Sequence, residues 1–330
     1  MVTIKDIAQQ AGVAKSTVSR YLNGGSVSKK TKAKLDQIVN ETGYTPNTFA
    51  QSLKAKKTNM IGTIIPRLDS FATNAILASI DEELRKKQYQ LIITNTNQNI
   101  EREVENIYTL AKQKVDGIIL LATVVTEAHR AAIAAVGIPV LLLGQSAEGL
   151  HTIGHQEYEA GFKMGSHAID LGHKKFLFFT VPEEDKAVGQ LRSKGVLDAL
   201  RKYPDTFIEI IETNFSFSKA YEKAMDVLPA TSATYVLCAT DNIALAVMKA
   251  AHTLGLSIPN DFSLSGFGGY TVASIVTPSI TTVKYPYKKL GALSVANIIE
   301  LVEGKEIISN LELPNELIKR ESTVYLKSSK

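Results

Sequence analysis

Continuous apolar runs that alternate with amphipathic helical stretches constrain the fold of this 330-residue chain more than any other feature. From residue 61 onward, helical patterns separate the runs IGTIIP, YQLIIT, VDGIILL and IPVLLLG. After residue 157 the pattern continues with the runs KFLFFT, FIEII, YVLCAT and FSLSGF. Strands that are buried on both faces and alternate with helices form parallel, doubly wound sheets. The sequence therefore predicts an α/β protein whose larger part consists of two similar lobes.

The first 25 residues carry a different pattern, that of two short helices joined by a tight turn. Thr3 is predicted to cap the first helix and Gly12 to end it, and the apolar positions between them are Ile4, Ile7, Ala8 and Ala11. The second helix is predicted to turn Val18, Tyr21 and Leu22 inward and to expose Lys15, Ser16, Thr17 and Arg20. Helices joined so closely cross steeply, and side chains of this kind on an outer face suit the major groove of DNA.

A third helix is predicted between Ser28 and Gly43, with Leu35, Ile38 and Val39 on its inner face. Residues 1–57 contain ten Lys or Arg and three Asp or Glu, so the formal charge of this segment is +7. The remaining residues have a formal charge of −3, which gives +4 for the whole chain. A local excess of positive charge is typical of proteins that bind a polyanion. A small helical hairpin with a solvated, lysine-rich face is the alternative interpretation.

Several motifs in register show that this N-terminal segment resembles the LacI/GalR repressors. They are Gly12-Val13, Thr17-Val18-Ser19-Arg20, Leu22-Asn23, Val27-Ser28, Thr31 and Gly43-Tyr44-Thr45-Pro46-Asn47. The resemblance implies a helix-turn-helix headpiece that binds operator DNA as a homodimer, because one headpiece reads only half of a palindromic site. The residues predicted to contact DNA are Lys15, Ser16, Thr17, Ser19, Arg20, Asn23, Lys30, Asn47, Leu53 and Lys54.

The segment from about 47 to 55 is too short to be a stable helix alone in water, so we expect a hinge that folds on DNA. In the family, two such hinge helices lie side by side in the minor groove, and the leucine that matches Leu53 wedges between base pairs. The alternative is that Leu53 packs on the headpiece.

The two lobes resemble the periplasmic sugar-binding fold that LacI/GalR proteins share, here over residues 58–325. The predicted organisation is a headpiece with its hinge at 1–57 and an effector-binding and dimerisation domain at 58–330. Within that domain the first lobe is expected at 58–156 and 288–316, and the second at 157–287 and 317–330. The segments Gly266-Phe267-Gly268-Gly269-Tyr270 and Ser274-Ile275-Val276-Thr277-Pro278 look most like the sucrose-operon repressors.

Ligands of open α/β sheets bind beyond the carboxyl ends of the strands, which selects the residues that follow each apolar run. Carboxylate, amide and guanidinium groups can bind sugar hydroxyls, and aromatic rings can stack on a sugar face. The candidates that follow such runs are Asp69, Ser70, Phe71, Thr123, Gln145, Gln156, Asp241 and Gly268. Two more are added: Arg192, which opens a helix of the second lobe, and Tyr285, which lies at a crossover.

Two of these candidates, Arg192 and Asp241, match residues that contact the sugar in the family. A surface salt bridge for Arg192 and a helix N-cap for Asp241 are the alternatives. Many relatives have an acidic residue at the position of Gly268, so we expect a roomier pocket with one hydroxyl acceptor fewer.

Other chemistry finds little support in the sequence. The pair His151 and His155 has no third ligand nearby, so no metal is expected, and no cofactor is expected because phosphate-binding and dinucleotide motifs are absent. There is also no GxSxG nucleophile motif, and the single cysteine, Cys238, is predicted to be buried in a strand. The chain shows neither an export leader nor a membrane-spanning run, so we expect a cytoplasmic protein.

The predicted function is that of a transcriptional repressor of a sugar-utilisation operon. Sucrose, a related saccharide or its phosphate is expected to bind between the lobes and release the protein from a palindromic operator. A solute-binding protein or small enzyme is the alternative from another class, and activation or corepression by the sugar is the alternative within the same class.

Overall fold

The structure is a computed structural model that describes residues 2–22, 24–44 and 57–326. The chain divides into two compact units, Met1–Asn59 and Met60–Lys330. Each unit is described by itself.

The described residues of the first unit form three helices, α1 (Ile4–Ala11), α2 (Lys15–Leu22) and α3 (Lys29–Thr42). The predicted caps are confirmed: Thr3 and Asp6 form a capping box on α1, Ser28 caps α3, and Gly12 ends α1 with a φ of 63°. The helices enclose a small apolar core made of Ile7, Ala8, Ala11, Val18, Leu35 and Ile38. The helix-turn-helix pattern predicted from the sequence is therefore present.

In the described part of the second unit, the strands form two six-stranded sheets with the orders β11-β5-β4-β3-β1-β2 and β12-β10-β9-β8-β6-β7. Neighbouring strands are parallel, except that β12 is antiparallel to β10. The strands are β1 (Met60–Ile65), β2 (Gln90–Asn95), β3 (Gly117–Leu120), β4 (Val140–Leu143), β5 (His151–His155), β6 (Lys175–Thr180), β7 (Phe207–Glu212), β8 (Tyr235–Cys238), β9 (Ser263–Gly268), β10 (Thr281–Lys284), β11 (Asn310–Leu313) and β12 (Glu316–Ile318).

Helices cover both faces of each sheet. They are α4 (Phe71–Lys86), α5 (Ile100–Lys112), α6 (Glu127–Val136), α7 (Glu157–Asp170), α8 (Ser193–Arg201), α9 (Phe217–Val227), α10 (Asp241–Thr253), α11 (Thr271–Ile275) and α12 (Tyr287–Val302). A π-helical segment, Lys186–Arg192, leads into α8. Successive strand residues enter different cores: Phe179 packs with α9 and α10, whereas Phe178 packs with α7 and α8. The predicted doubly wound α/β fold is confirmed.

Two predicted strands differ from expectation because they lie at sheet edges. Strands β2 and β7 each have a single neighbouring strand among the described residues. Three of the six residues of β2 and four of the six residues of β7 are exposed, including Ile93, Phe207 and Ile210. The expectation that all apolar runs are buried on both faces is therefore wrong for these two. Cys238, by contrast, is buried in β8 as predicted.

We call the first sheet with α4, α5, α6 and α12 the first lobe, and the second sheet with α7 to α11 the second lobe. The chain passes between the lobes after β5, between β10 and α12, and between β11 and β12. The expected boundary after residue 316 falls inside β12, so the last crossing occurs slightly earlier, at 314–315. Within the described residues, no helix has the length and apolar character needed to span a bilayer.

Candidate functional site

The second helix of the headpiece presents polar and basic side chains outward. Lys15, Ser16 and Arg20 are exposed, whereas Thr17 and Ser19 are half-buried. The exposed ones stand opposite Val18, which is fully buried in the headpiece core. Within residues 2–22 and 24–44, neither Lys15 nor Arg20 forms an ion pair, so both charges remain available to DNA.

The third helix adds a second basic surface. Lys30 is exposed near its start, and Lys32 pairs with Asp36 over 3.0 Å. Asp36 also accepts a hydrogen bond from the Tyr21 hydroxyl, which lowers the pKa of this carboxyl and ties α3 to α2. The other predicted DNA contacts, which lie outside the described residues, are Asn23, Asn47, Leu53 and Lys54.

Between the two lobes lies a cavity of about 200 Å³. It opens at the carboxyl ends of the parallel strands, where such sheets bind ligands. Seven of the residues predicted to bind the effector line it: Asp69, Ser70, Phe71, Thr123, Gln145, Arg192 and Tyr285. Five of them, Asp69, Ser70, Phe71, Thr123 and Gln145, follow strands of the first lobe, whereas Arg192 ends the π-helical segment before α8 and Tyr285 lies where the chain crosses between the lobes.

A buried ion pair forms one wall of the cavity. The Arg192 Nε–H donates to Glu157 Oε2 over 2.8 Å, and its Nη2 lies 2.7 Å from the same oxygen. Its Nη1–H donates to the carbonyl oxygen of Ala239 over 2.6 Å, and Tyr285 donates its hydroxyl to Glu157 over 2.7 Å. Arg192 is 5% exposed, so the alternative of a surface salt bridge is wrong.

Close helix packing makes this ion pair possible. A Cβ on Gly161 of α7 would lie 2.0 Å from the Arg192 carbonyl oxygen, and one on Gly195 of α8 would lie 2.1 Å from the Tyr158 carbonyl oxygen. Glycine at both positions lets the two helix backbones approach. Burial alone would lower the pKa of Arg192, but Glu157 and the neighbouring tyrosines raise it above its ordinary value.

Aromatic rings continue from one lobe to the other along the cavity. The ring of Phe71 lies 5.3 Å from that of Tyr270, which lies 6.1 Å from that of Tyr287. The ring of Tyr287 lies 6.0 Å from that of Tyr285, and His155 lies 4.7 Å from Tyr285. Such rings offer apolar faces on which the C–H groups of a sugar ring can stack.

A buried polar network fixes the first-lobe wall. The Gln145 side chain donates to the carbonyl oxygen of Thr123 over 3.1 Å, and the Thr123 hydroxyl donates to Glu103 over 2.8 Å. Glu103 also lies 3.1 Å from His129, whose other ring nitrogen lies 2.9 Å from the Thr126 hydroxyl. Glu103 and His129 are fully buried and satisfied, so they position Thr123 and Gln145 without reaching the cavity themselves.

Three predicted effector residues do not line the cavity: Gln156, Asp241 and Gly268. Asp241 is fully buried, and it accepts bonds from the Thr282 hydroxyl over 2.6 Å and the Tyr270 backbone N–H over 3.0 Å. Burial raises its pKa to about 6. The N-cap of α10 is Thr240, so the alternative assignment of Asp241 as the cap is also wrong.

The expected extra space at Gly268 is not there. A Cβ at this position would lie 2.6 Å from the ring of Tyr270, and the φ of 143° is one that favours glycine. The volume that an acidic side chain would occupy is therefore filled by the ring of Tyr270, and the expectation of a roomier pocket is corrected.

Sequence reasoning missed several lining residues: Arg67, His155, Glu157, Asp185, Tyr270 and Tyr287. His155 is the last residue of β5, and the strand-end rule missed it because it selects the residue that follows a strand, here Gln156. Both of its ring nitrogens are buried without a hydrogen-bond partner among the described residues. Burial and the nearby Arg192 lower its pKa to about 3, so it is a neutral imidazole at the cavity.

Comparison with known proteins covers both units. Residues 3–47 match the model for the lacI family of bacterial regulatory proteins, and residues 166–323 match that for a periplasmic binding protein-like domain. The sequence is 39% identical over 308 residues to the sucrose operon repressor of Staphylococcus xylosus, covering 93% of this chain and 96% of that protein. It is 29% identical over 329 residues to catabolite control protein A of Priestia megaterium, covering 98% and 99%.

Among solved structures, the fold is similar to that of the lac repressor dimer bound to operator and the anti-inducer ONPF. The TM-score is 0.89 at 28% sequence identity, and the alignment covers 98% of this chain and 99% of that chain. The similarity extends over the headpiece and the two lobes, as the sequence motifs predicted.

Proposed function

The chain belongs to the lacI family of bacterial regulatory proteins, and from that premise we propose that it represses a saccharide-utilisation operon and leaves its operator when a saccharide binds between the lobes. As a member of this family it is a DNA-binding transcriptional regulator and not an enzyme. Because its operator would lie on the bacterial chromosome, we propose that the protein acts in the cytoplasm.

The observation that carries the proposal is the cavity between the lobes. Its wall combines hydrogen-bonding groups such as Asp69, Gln145 and Asn242 with the neighbouring rings of Phe71 and Tyr270. Polar groups that match hydroxyls, next to apolar faces that match ring C–H bonds, are what a saccharide requires. The similarity to a sucrose operon repressor supports sucrose or a related saccharide as the first ligand to test.

Operator binding is proposed to require a homodimer. The lac repressor that shares this fold was crystallised as a dimer on its operator, and paired headpieces read the two halves of a palindromic site. Arg20, Lys15 and Ser16 are proposed to read bases, while Lys30 contacts phosphate.

The two sites are proposed to be coupled through the arrangement of the lobes. A ligand shifts a conformational equilibrium only by its differential affinity for the two states. A saccharide held by Asp69 of the first lobe and Asn242 of the second would favour the arrangement in which both reach it. Operator DNA would favour the other arrangement, so each ligand would weaken the other by the same factor, typically equivalent to about 1–3 kcal/mol.

The test combines operator binding with a saccharide panel. Purified protein is titrated onto the promoter DNA of its own operon in a gel-shift assay, with and without sucrose and related neutral saccharides or their phosphates. We expect one saccharide to release the DNA, and DNA binding to weaken log-linearly with salt while saccharide binding hardly responds. Tighter DNA binding in the presence of the saccharide would identify a corepressor and overturn the release mechanism.

A matched pair of variants assigns the response to the cavity. Phe71→Ala removes an exposed ring that lines the cavity and contacts Tyr270, so it should raise the saccharide concentration needed for release and leave operator affinity intact. Phe207→Ala removes an exposed ring on the edge strand β7, outside the cavity lining, and should behave like the wild type. Equal responses of the two variants would contradict the proposed site.

A further inference from the structure

The charges around the cavity bear on which form of the saccharide it accepts. Resting on the proposed function, we infer that the effector is an uncharged saccharide and that the cavity discriminates against the same saccharide carrying a phosphate group. The inference follows from how the charged groups at the cavity are already paired.

Carboxyl groups outnumber cations in the cavity wall. Among the described residues, the lining contains the guanidinium groups of Arg67 and Arg192 and the carboxyl groups of Asp69, Glu157 and Asp185, and it contains no lysine. The formal charge of these five groups is therefore −1. A phosphate monoester would bring up to two further negative charges into a partly desolvated space, where like charges repel strongly.

Arg192, the more buried cation, is already bonded to other groups of the protein. Three of its N–H groups are directed at Glu157 and the carbonyl oxygen of Ala239. Its guanidinium carbon lies 5.1 Å from the ring centres of both Phe267 and Tyr285. Its remaining N–H groups can donate to hydroxyls, but its charge is balanced by Glu157 and is not available to pair with a phosphate.

Arg67, the other cation, also has carboxylates beside it, although its contact is weaker than that of Arg192. Its Nε lies 3.9 Å from the exposed Asp69 carboxylate, and its guanidinium carbon lies 5.0 Å from the ring centre of Phe215. Burial lowers the pKa of Arg67, although the neighbouring Asp69 partly offsets this. A phosphate that approached Arg67 would also approach the carboxylates of Asp69 and Asp185, and like charges repel.

Helix N-termini are the other common anion sites, and those near the cavity already carry carboxylates. Asp69 directly precedes Ser70, the N-cap of α4, and Glu157 is the first residue of α7. Asp185 caps the π-helical segment by accepting from the Val188 N–H over 2.8 Å, and Asp241 is the first residue of α10. The positive ends of these helical segments are therefore offset by the protein itself.

His155 is a buried polar side chain at the cavity, and its imidazole is neutral. His155 has both ring nitrogens free of hydrogen bonds to the described residues, so it can donate to one hydroxyl and accept from another. Burial and Arg192 lower its pKa to about 3, so it does not supply a positive charge to a phosphate at neutral pH. An unpaired neutral imidazole matches a hydroxylated ligand and not an anionic one.

The test compares neutral and phosphorylated members of the same saccharide pairs by isothermal titration calorimetry on the full-length protein. The pairs are sucrose and sucrose 6-phosphate, fructose and fructose 6-phosphate, and glucose and glucose 6-phosphate. We expect the neutral member of the binding pair to bind at least about tenfold more tightly than its phosphate. Equal or tighter binding of a phosphorylated member overturns this inference while leaving saccharide control intact. Binding of neither form of any pair, together with no release of operator DNA, overturns the proposed function and this inference with it.

Asp185→Asn tests the electrostatic cause. Asparagine can still accept the Val188 N–H, so the local cap is retained while one negative charge is removed. The ratio of phosphate to neutral-saccharide affinity should rise several-fold in this variant. Asp226→Asn makes the same chemical change at an exposed position of α9 outside the cavity lining and should leave the ratio unchanged. If Asp185→Asn also leaves the ratio unchanged, cavity charge is not the cause and the inference fails.

Discussion

Replacing Glu157 with glutamine removes the carboxylate that balances Arg192 while preserving nearly the same shape. The two side chains are 8% and 7% exposed, so little water can replace the lost partner. Breaking a buried ion pair from one side costs about 3–5 kcal/mol, because the other charge stays buried without compensation. Arg192 keeps its bond to the Ala239 carbonyl oxygen, and the glutamine oxygen can still accept from Tyr285, so we expect the lower value, about 3 kcal/mol.

The free energy of unfolding of the full chain should be measured by urea titration at pH 7, with circular dichroism as the signal. A total stability of about 5–15 kcal/mol is typical, so a loss of this size is readily resolved. Glu82→Gln is the matched control, because Glu82 pairs with Lys86 over 2.9 Å in an exposed position, and its loss should be hard to detect.

The double variant Glu157→Gln, Arg192→Met completes the cycle. Removing both charges leaves no buried unpaired ion, so this variant should recover most of the stability lost by Glu157→Gln alone. The free energy of unfolding of Arg192→Met alone is measured as well. This account of the pair would be refuted if Glu157→Gln were as stable as Glu82→Gln. It would also be refuted if the double variant lost as much stability as Glu157→Gln and Arg192→Met lose together.

Three further predictions concern other parts of the molecule. Arg20→Ala should cost about 1–3 kcal/mol on the cognate operator and less on scrambled DNA, whereas Lys30→Ala should weaken both alike; equal losses for Arg20→Ala on the two DNAs would remove it from base reading. His155 has a folded-state pKa of about 3 against an ordinary 6.5, so its contribution to stability is complete above pH 6.5 and falls as the pH is lowered. Between pH 7 and pH 5 the wild type should lose about 2 kcal/mol more than His155→Asn in urea unfolding, and parallel pH profiles would contradict this. Gly268→Ala should cost about 1–3 kcal/mol, because its Cβ meets the ring of Tyr270, and an unchanged melting temperature would show that the ring moves away freely.

The fold and the headpiece could be predicted because their signals are local. Thr3 and Gly12 frame α1 through caps that depend on a few neighbouring residues, and the apolar runs identify the buried strands directly. Strand order is a different matter: nothing within YQLIIT or FIEII distinguishes an edge strand from a central one, since that depends on which strands flank it. Ile93 and Phe207 are exposed because their strands, β2 and β7, lie at sheet edges.

The candidate site was predictable as a location but not as a set of contacts. The strand-end rule found Phe71, Thr123 and Gln145, which line the cavity, because it needs only the position of each strand. It could not show that Asp241 turns to Thr282, since that partner lies 41 residues away and meets it only in the folded sheet. Glu157 was missed for the same reason: its contact with Arg192 depends on how closely α7 approaches α8.

Because the chain crosses between the lobes more than once, the ribosome synthesises most of the second lobe before the first lobe is complete. The headpiece is continuous in sequence, whereas the first lobe is completed by α12 and β11, which are synthesised after every helix and strand of the second lobe except β12. Until α12 leaves the ribosome, the face of Ile61, Ile80 and Ile119 that packs with Leu290 and Ile298 is bare. At about 5–20 residues per second, this wait lasts on the order of ten seconds, during which the nascent first lobe exposes an apolar surface of the kind that promotes aggregation.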